Sequence, residues 1–173
     1  MKSNNTRMLS AQNMRRTVVK MEQKPADLMS QVKVQVAKLT PAQRDYILTP
    51  CLEAVAALQI GTFTTEHFRS LVDAFNVGEL LAKPPYNLCN DHAHKFGAVL
   101  LALEVLATRY SFTQTWVPGE RRMQVVKDAM EIHEIQLQFV SQAEFFDALT
   151  RVAIKARNAL AGHAVGRTVL EVA

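Results

Sequence analysis

The run Asn90-Asp91-His92-Ala93-His94 holds the side chains of this sequence best suited to chemistry. Asp91, His92 and His94 are all of types that ligate a divalent metal. On a regular helix, residues two apart point to nearly opposite sides, so His92 and His94 converge only if Asn90 to Ala93 is non-helical. A completed site would need His67, His133 or Glu104 brought in by the fold. The alternative is that Asn90 or Asp91 caps a helix start while one histidine faces solvent and the other bonds a carbonyl. His92 and His94 are therefore weak metal candidates, and no metal or cofactor is assigned.

His133-Glu134 matches the first half of a zinc-protease His-Glu-x-x-His pair. The fourth residue after His133 is Leu137, so the second ligand is missing and that reading fails. Its apolar neighbours at helical spacing make His133 a histidine at the edge of the core. Glu104 interrupts the most apolar run, where a buried carboxylate must find a partner or take up a proton. The other possibility is that Gly97, Leu101, Glu104 and Thr108 mark a partly exposed side. Cys51 and Cys89 read as small buried apolar residues. With no secretory pattern in the polar, basic stretch Met1–Arg16, the thiols are expected to be reduced in a cytoplasm. No phosphate-binding loop, Gly-x-Gly-x-x-Gly, Cys-x-x-Cys or Gly-x-Ser-x-Gly is present. No catalytic residue is assigned, and an enzyme is the less favoured reading.

The elements that must carry these side chains are helical. The 173 residues are 49% apolar and 21% charged, with only 6 Gly and 6 Pro. That is ordinary globular composition with little to interrupt helices. From Phe96 to Ala107 only Glu104 is charged, over about a dozen residues where a membrane span needs ~20. A helix apolar nearly all round is expected to be wrapped by others, so Cys89–Tyr110 is taken as the central helix.

Around it, Leu28, Val32, Val36 and Leu39 make a short apolar stripe after Pro25. Thr40-Pro41 starts a helix with Tyr46, Leu48, Cys51, Leu52, Val55 and Leu58 on its buried face and Gly61 at its end. Pro50 should either kink that helix or divide it. Thr64 opens another, with Leu71, Phe75 and Leu81 buried and Gly78 weakening its last turn. Pro84-Pro85 then breaks the chain. Glu120–Val140 is a long amphipathic helix, and Ser141-Gln-Ala-Glu144 is a capping box that starts the last one. Phe145, Leu149, Val152, Ile154 and Leu160 should pack that helix, Asp147 and Arg151 should pair along it, and Gly162 should end it. The expected fold is all-α: a single-domain antiparallel bundle of four or five main helices over 25–165, preceded by a basic arm (1–24) and followed by a tail (166–173).

Charge is unevenly divided. Residues 1–39 carry eight Lys or Arg against two acidic residues, a balance of +6, while the other 134 carry twelve basic and fourteen acidic. Arg7, Arg15, Arg16, Lys20 and Lys24 in the arm would attract phosphate backbones or acidic protein surfaces. Arg15, Arg16 and Lys20 share a side if the arm is helical. No aromatic residue precedes Tyr46 to stack on bases, which weakens single-strand binding. Phe112 and Trp116 in one connection, and Tyr86 in another, are either folded onto the core or held out for a partner.

The leading reading is a non-enzymatic, regulatory interaction protein of the cytoplasm, binding a protein partner or itself through its helical surface and basic arm. Phage and plasmid accessory factors fit that description on general grounds. The second reading is nucleic-acid binding by the arm, and the third a metal-dependent enzyme using His92 and His94. No membrane association is expected.

Overall fold

The computed structural model describes residues 37–170, with side chains as far as residue 159. Residues Leu28, Val32 and Val36 and the whole basic arm, including Arg7, Arg15, Arg16, Lys20 and Lys24, lie outside the described residues. The fold is all-α, with five α-helices among the described residues, in the order α1 (Pro41–Ile60), α2 (Thr65–Leu81), α3 (Ala93–Thr113), α4 (Glu120–Phe139) and α5 (Gln142–Leu170).

Helix starts follow from local chemistry. Thr40 Oγ1 accepts the Gln43 amide and the Gln43 side chain accepts the Thr40 amide, ahead of Pro41 in the first turn. Thr64 and His67 close the same reciprocal pair on α2. Ser141 and Glu144 do so on α5. Gly61, in the left-handed region at φ 80°, ends α1 with its N–H on the Ala57 carbonyl. Helix α1 runs unbroken through Pro50.

Four expectations are corrected. Among the described residues the central helix is α2, which packs against all four others, whereas α3 packs chiefly on α2 and α4. The inner stripe of α3, Phe96, Val99, Leu103 and Leu106, is buried, while Gly97, Ala98, Leu101, Glu104, Val105 and Thr108 are exposed. The misreading has a physical cause. Gly and Ala count as apolar but carry little area to bury, so a run rich in them does not need to be enclosed. By length and composition alone, Asn90–Thr113 is apolar enough to cross a membrane (24 residues, mean hydropathy 1.3).

Second, neither Asn90 nor Asp91 caps α3. Asn90–His92 forms a single 3-10 turn after Cys89, which sits at φ 57°, and no side chain caps either start. Third, α5 continues through Gly162 to Leu170. A mid-helix glycine costs only about 1 kcal/mol, and this one follows the helix-favouring Ala161. Fourth, Tyr46, Leu52, Leu149 and Ile154, expected in the core, are exposed.

Gly78 explains how tightly α2 and α3 meet. A Cβ there would lie 3.0 Å from Cδ1 of the Phe96 ring and closer still to two other ring carbons, and Phe96 is fully buried. Gly78→Ala is expected to cost about 2 kcal/mol through forced repacking, read as a lower urea midpoint with an unchanged slope. A midpoint equal to the parent's would mean the two helices do not pack this closely.

Candidate functional site

Helices α1 and α5 both lie along α2 but make no extended contact with each other. Between them runs an apolar groove of about 560 Å³. One wall is Ala42, Tyr46, Ile47 and Pro50 of α1, and the other is Phe145, Phe146 and Leu149 of α5. The floor is Ala74 and Val77 of α2, with Ser70, Asp73, Cys51 and His133 also lining the space. Its rim is uncovered: Tyr46 is 83% exposed, Phe146 55% and Leu149 42%. Fixed apolar side chains bordering an open trough of this size are what a binding site offers.

Beside the floor sits a buried polar cluster. Gln136 of α4 is fully buried, and its Nε2 donates to the carbonyls of Gly78 (3.0 Å) and Leu88 (2.9 Å). Its Oε1 therefore faces His133, 3.4 Å from Nδ1. His133 lies in the core rather than at its edge, 1% exposed. Burial pushes its pKa down to about 4, partly opposed by the hydrogen bond to Gln136, so the ring is neutral near pH 7.

Cys51, Asp73 and His133 share the groove, a combination that invites a nucleophile reading. The thiol argues against it. Burial, and then the charge of Asp73, push Cys51 up to about 11, and its Sγ lies near the carbonyls of Ile47 (3.6 Å) and Ser70 (3.9 Å). A thiolate–imidazolium pair needs a low thiol and a high imidazole, the reverse of this site. Burial also raises the Cys89 thiol. Cys89 is half-buried and Cys51 buried. With iodoacetamide at pH 8, Cys89 is expected to alkylate well before Cys51, which should react only on unfolding. Mass spectrometry of the digested protein reads this directly, and labelling of Cys51 at a comparable rate would contradict its burial.

The sequence-derived candidates are scattered. His92 and His94 are exposed, on the 3-10 turn and the first turn of α3. Among the described residues no three His, Cys, Asp or Glu side chains cluster as a metal site. Trp116 folds inward, stacked on Tyr110 (4.1 Å between ring centres) and on Phe68 (5.3 Å), with Phe63 against its edge. Phe112 projects outward, 83% exposed. Tyr86 donates its hydroxyl to Asp147, which pairs with Arg151 at 3.0 Å, as the i,i+4 spacing implied. Burial and then the bond to Asp147 push the Tyr86 hydroxyl up to about 12, while Asp147 is held below the usual carboxylate range.

The groove is not evident in the sequence. Its walls come from residues about 100 apart in sequence, as Tyr46 and Phe146 are, and no local pattern links them. No family model, curated protein or solved structure matches this chain.

Proposed function

We propose that this chain is a non-enzymatic helical interaction protein, an antiparallel bundle with a basic N-terminal arm, whose groove receives an amphipathic helix from a protein partner. The observation that carries this is an open apolar trough among the described residues, between α1 and α5 over α2. Two helices flank α2, joined near their starts where Gln142 Nε2 donates to Gln43 Oε1 and otherwise apart, and the residues lining the gap are mostly apolar with an exposed rim. An apolar helix face laid there would bury anchors at i, i+3 or i+4 and i+7, the usual mode of groove recognition. Rotational and side-chain ordering costs oppose this, so a few well-buried anchors would set the affinity. The basic residues of the arm add electrostatic attraction and speed encounter in a cytoplasmic setting.

The test is a pull-down from extracts of the native host with the parent and with Phe146→Glu/Leu149→Glu, each with and without nuclease. Phe112→Glu, on an exposed residue of α3 that does not line the groove, is the control. Both groove residues are exposed, so helicity and melting should hold. The expected result is one set of proteins lost from the groove variant, retained by the control and indifferent to nuclease. Retention by the groove variant would overturn the reading, and loss on nuclease treatment would favour nucleic-acid binding through the arm.

A further inference from the structure

Helix α3 carries two stripes on opposite sides, and the bundle uses only one of them. Phe96, Val99, Leu103 and Leu106 are buried, on the side where α3 packs on α2 and α4. Half a turn round the helix, His94, Ala98, Leu101, Val105, Thr108 and Phe112 are all exposed among the described residues. Their spacing alternates between four and three residues from one end of α3 to the other. That is the repeat of a coiled-coil seam, with Ala98, Val105 and Phe112 at its first position and Leu101 at its fourth. Such a stripe drifts only ~20° per repeat around a straight helix, so it keeps to one face along α3.

The seam and its flanks describe what covers it. A β-branched residue at the first position with leucine at the fourth favours two parallel strands, and Val105 and Leu101 supply that pair near the middle of α3. The Thr108 hydroxyl already donates to the Glu104 carbonyl at 2.9 Å, so covering it strands no donor. Glu104 borders the seam on one side and Arg109 on the other. Both are exposed, and neither joins an ion pair among the described residues. Lys95, the remaining charge on these flanks, is taken by Asp128 at 3.6 Å.

In a parallel pair, the residue before a first seam position on one helix meets the residue after the following fourth position on the other. Those are Glu104, ahead of Val105, and Arg109, after Thr108, so a second copy of α3 offers each charge its opposite, twice over by symmetry. An antiparallel pair would set each flank against itself, acid facing acid. A membrane surface matches less well, because helices lying on one keep Lys and Arg on their polar border, and one border charge here is acidic.

We infer that the outer face of α3 is a self-association surface, on which two copies of this chain pair as a short parallel coiled coil with Glu104 of each copy set against Arg109 of the other. The seam is short, at the low end of interface sizes below ~1,200 Å², so the pairing depends on concentration. It is independent of the groove, which no residue of α3 lines.

Sedimentation of the full chain over a range of concentrations measures the pairing, and the parent should pass from monomer to dimer. Glu104→Arg and Arg109→Glu each turn two attractions into two repulsions and should weaken it roughly tenfold, while the double exchange should return it to within about twofold of the parent. All these side chains are exposed, so melting should not move. Symmetry places Val105 opposite itself in a parallel pair. Val105→Cys should therefore give a disulfide-linked dimer on mild oxidation, and Glu104→Cys, on the flank, should not. A parent that stays monomeric at every concentration would overturn the proposal. So would linkage through Glu104→Cys alone, the mark of an antiparallel pair, or a double exchange that fails to rescue. A monomer that instead sediments with phosphatidylserine vesicles, and ceases to with Phe112→Glu, would make this face a membrane contact and overturn the pairing.

Discussion

Gln136→Leu is expected to lower the unfolding free energy by about 3 kcal/mol, measured by urea denaturation at neutral pH. Leucine fills much the same volume, so the loss is one of hydrogen bonds rather than of packing. The Leu88 carbonyl loses its donor from α4, and the Gly78 carbonyl keeps only the Ala82 amide. The His133 Nδ1 proton is left without an acceptor at full burial. Each buried group stranded in this way costs about 1–3 kcal/mol, and these three are linked closely enough that their costs will not simply add. Gln136→Glu should be worse, because a carboxylate cannot donate to either carbonyl. A loss below about 1 kcal/mol for the leucine variant would mean that the cluster does not join α4 to the end of α2 and the following loop.

The second large effect is on pH dependence. His133 has its pKa lowered from 6.5 to about 4 in the folded chain, with burial as the main cause. The unfolded chain therefore binds the proton more readily between those values. The stability contributed is fully present above pH 6.5 and is lost as pH falls toward 4. A difference of that size corresponds to about 3 kcal/mol. Other groups lining the groove act differently over this range. Asp73, raised by burial, adds a little stability as pH falls, and Cys51 stays protonated throughout. Outside the groove, Asp147, held low by Tyr86 and Arg151, loses its contribution only in more acid solution. Urea midpoints at pH 7, 5.5 and 4.5 should fall steadily for the parent and much less for His133→Gln. Parallel slopes in the two proteins would place the titration elsewhere.

Much of the fold was legible in short stretches of sequence. The boundaries at Thr40-Pro41, Thr64 and Ser141–Glu144 are set by side chains bonding backbone three residues away, and that at Gly61 by its own N–H on the Ala57 carbonyl, so local reading is enough. The Asp147–Arg151 pair is of the same kind. What failed was any inference that needed a neighbour. Which of two apolar helices lies at the centre depends on the area buried, and α2, with Phe75 and Leu71 enclosed, outranks an alanine-rich α3 despite its charged residues Glu66, Arg69 and Asp73.

The groove was invisible for a related reason. Tyr46 and Leu149 fall on apolar stripes that read as core, and only the separation of α1 from α5 leaves them uncovered. His133 was recognised as lying among apolar residues, but its acceptor could not be inferred without Gln136. That glutamine is three residues along the same helix and meets two carbonyls from distant parts of the chain.

Pro50 lies within α1 and lines the same groove as Tyr46, one helical turn earlier. Proline has no amide hydrogen, so the Tyr46 carbonyl has no partner in the helical ladder. At that point the α1 wall has one rung fewer than an uninterrupted helix. Of the sides of the trough, the α1 wall is thus the one whose ladder is interrupted, with a carbonyl at Tyr46 left to solvent or to a side chain.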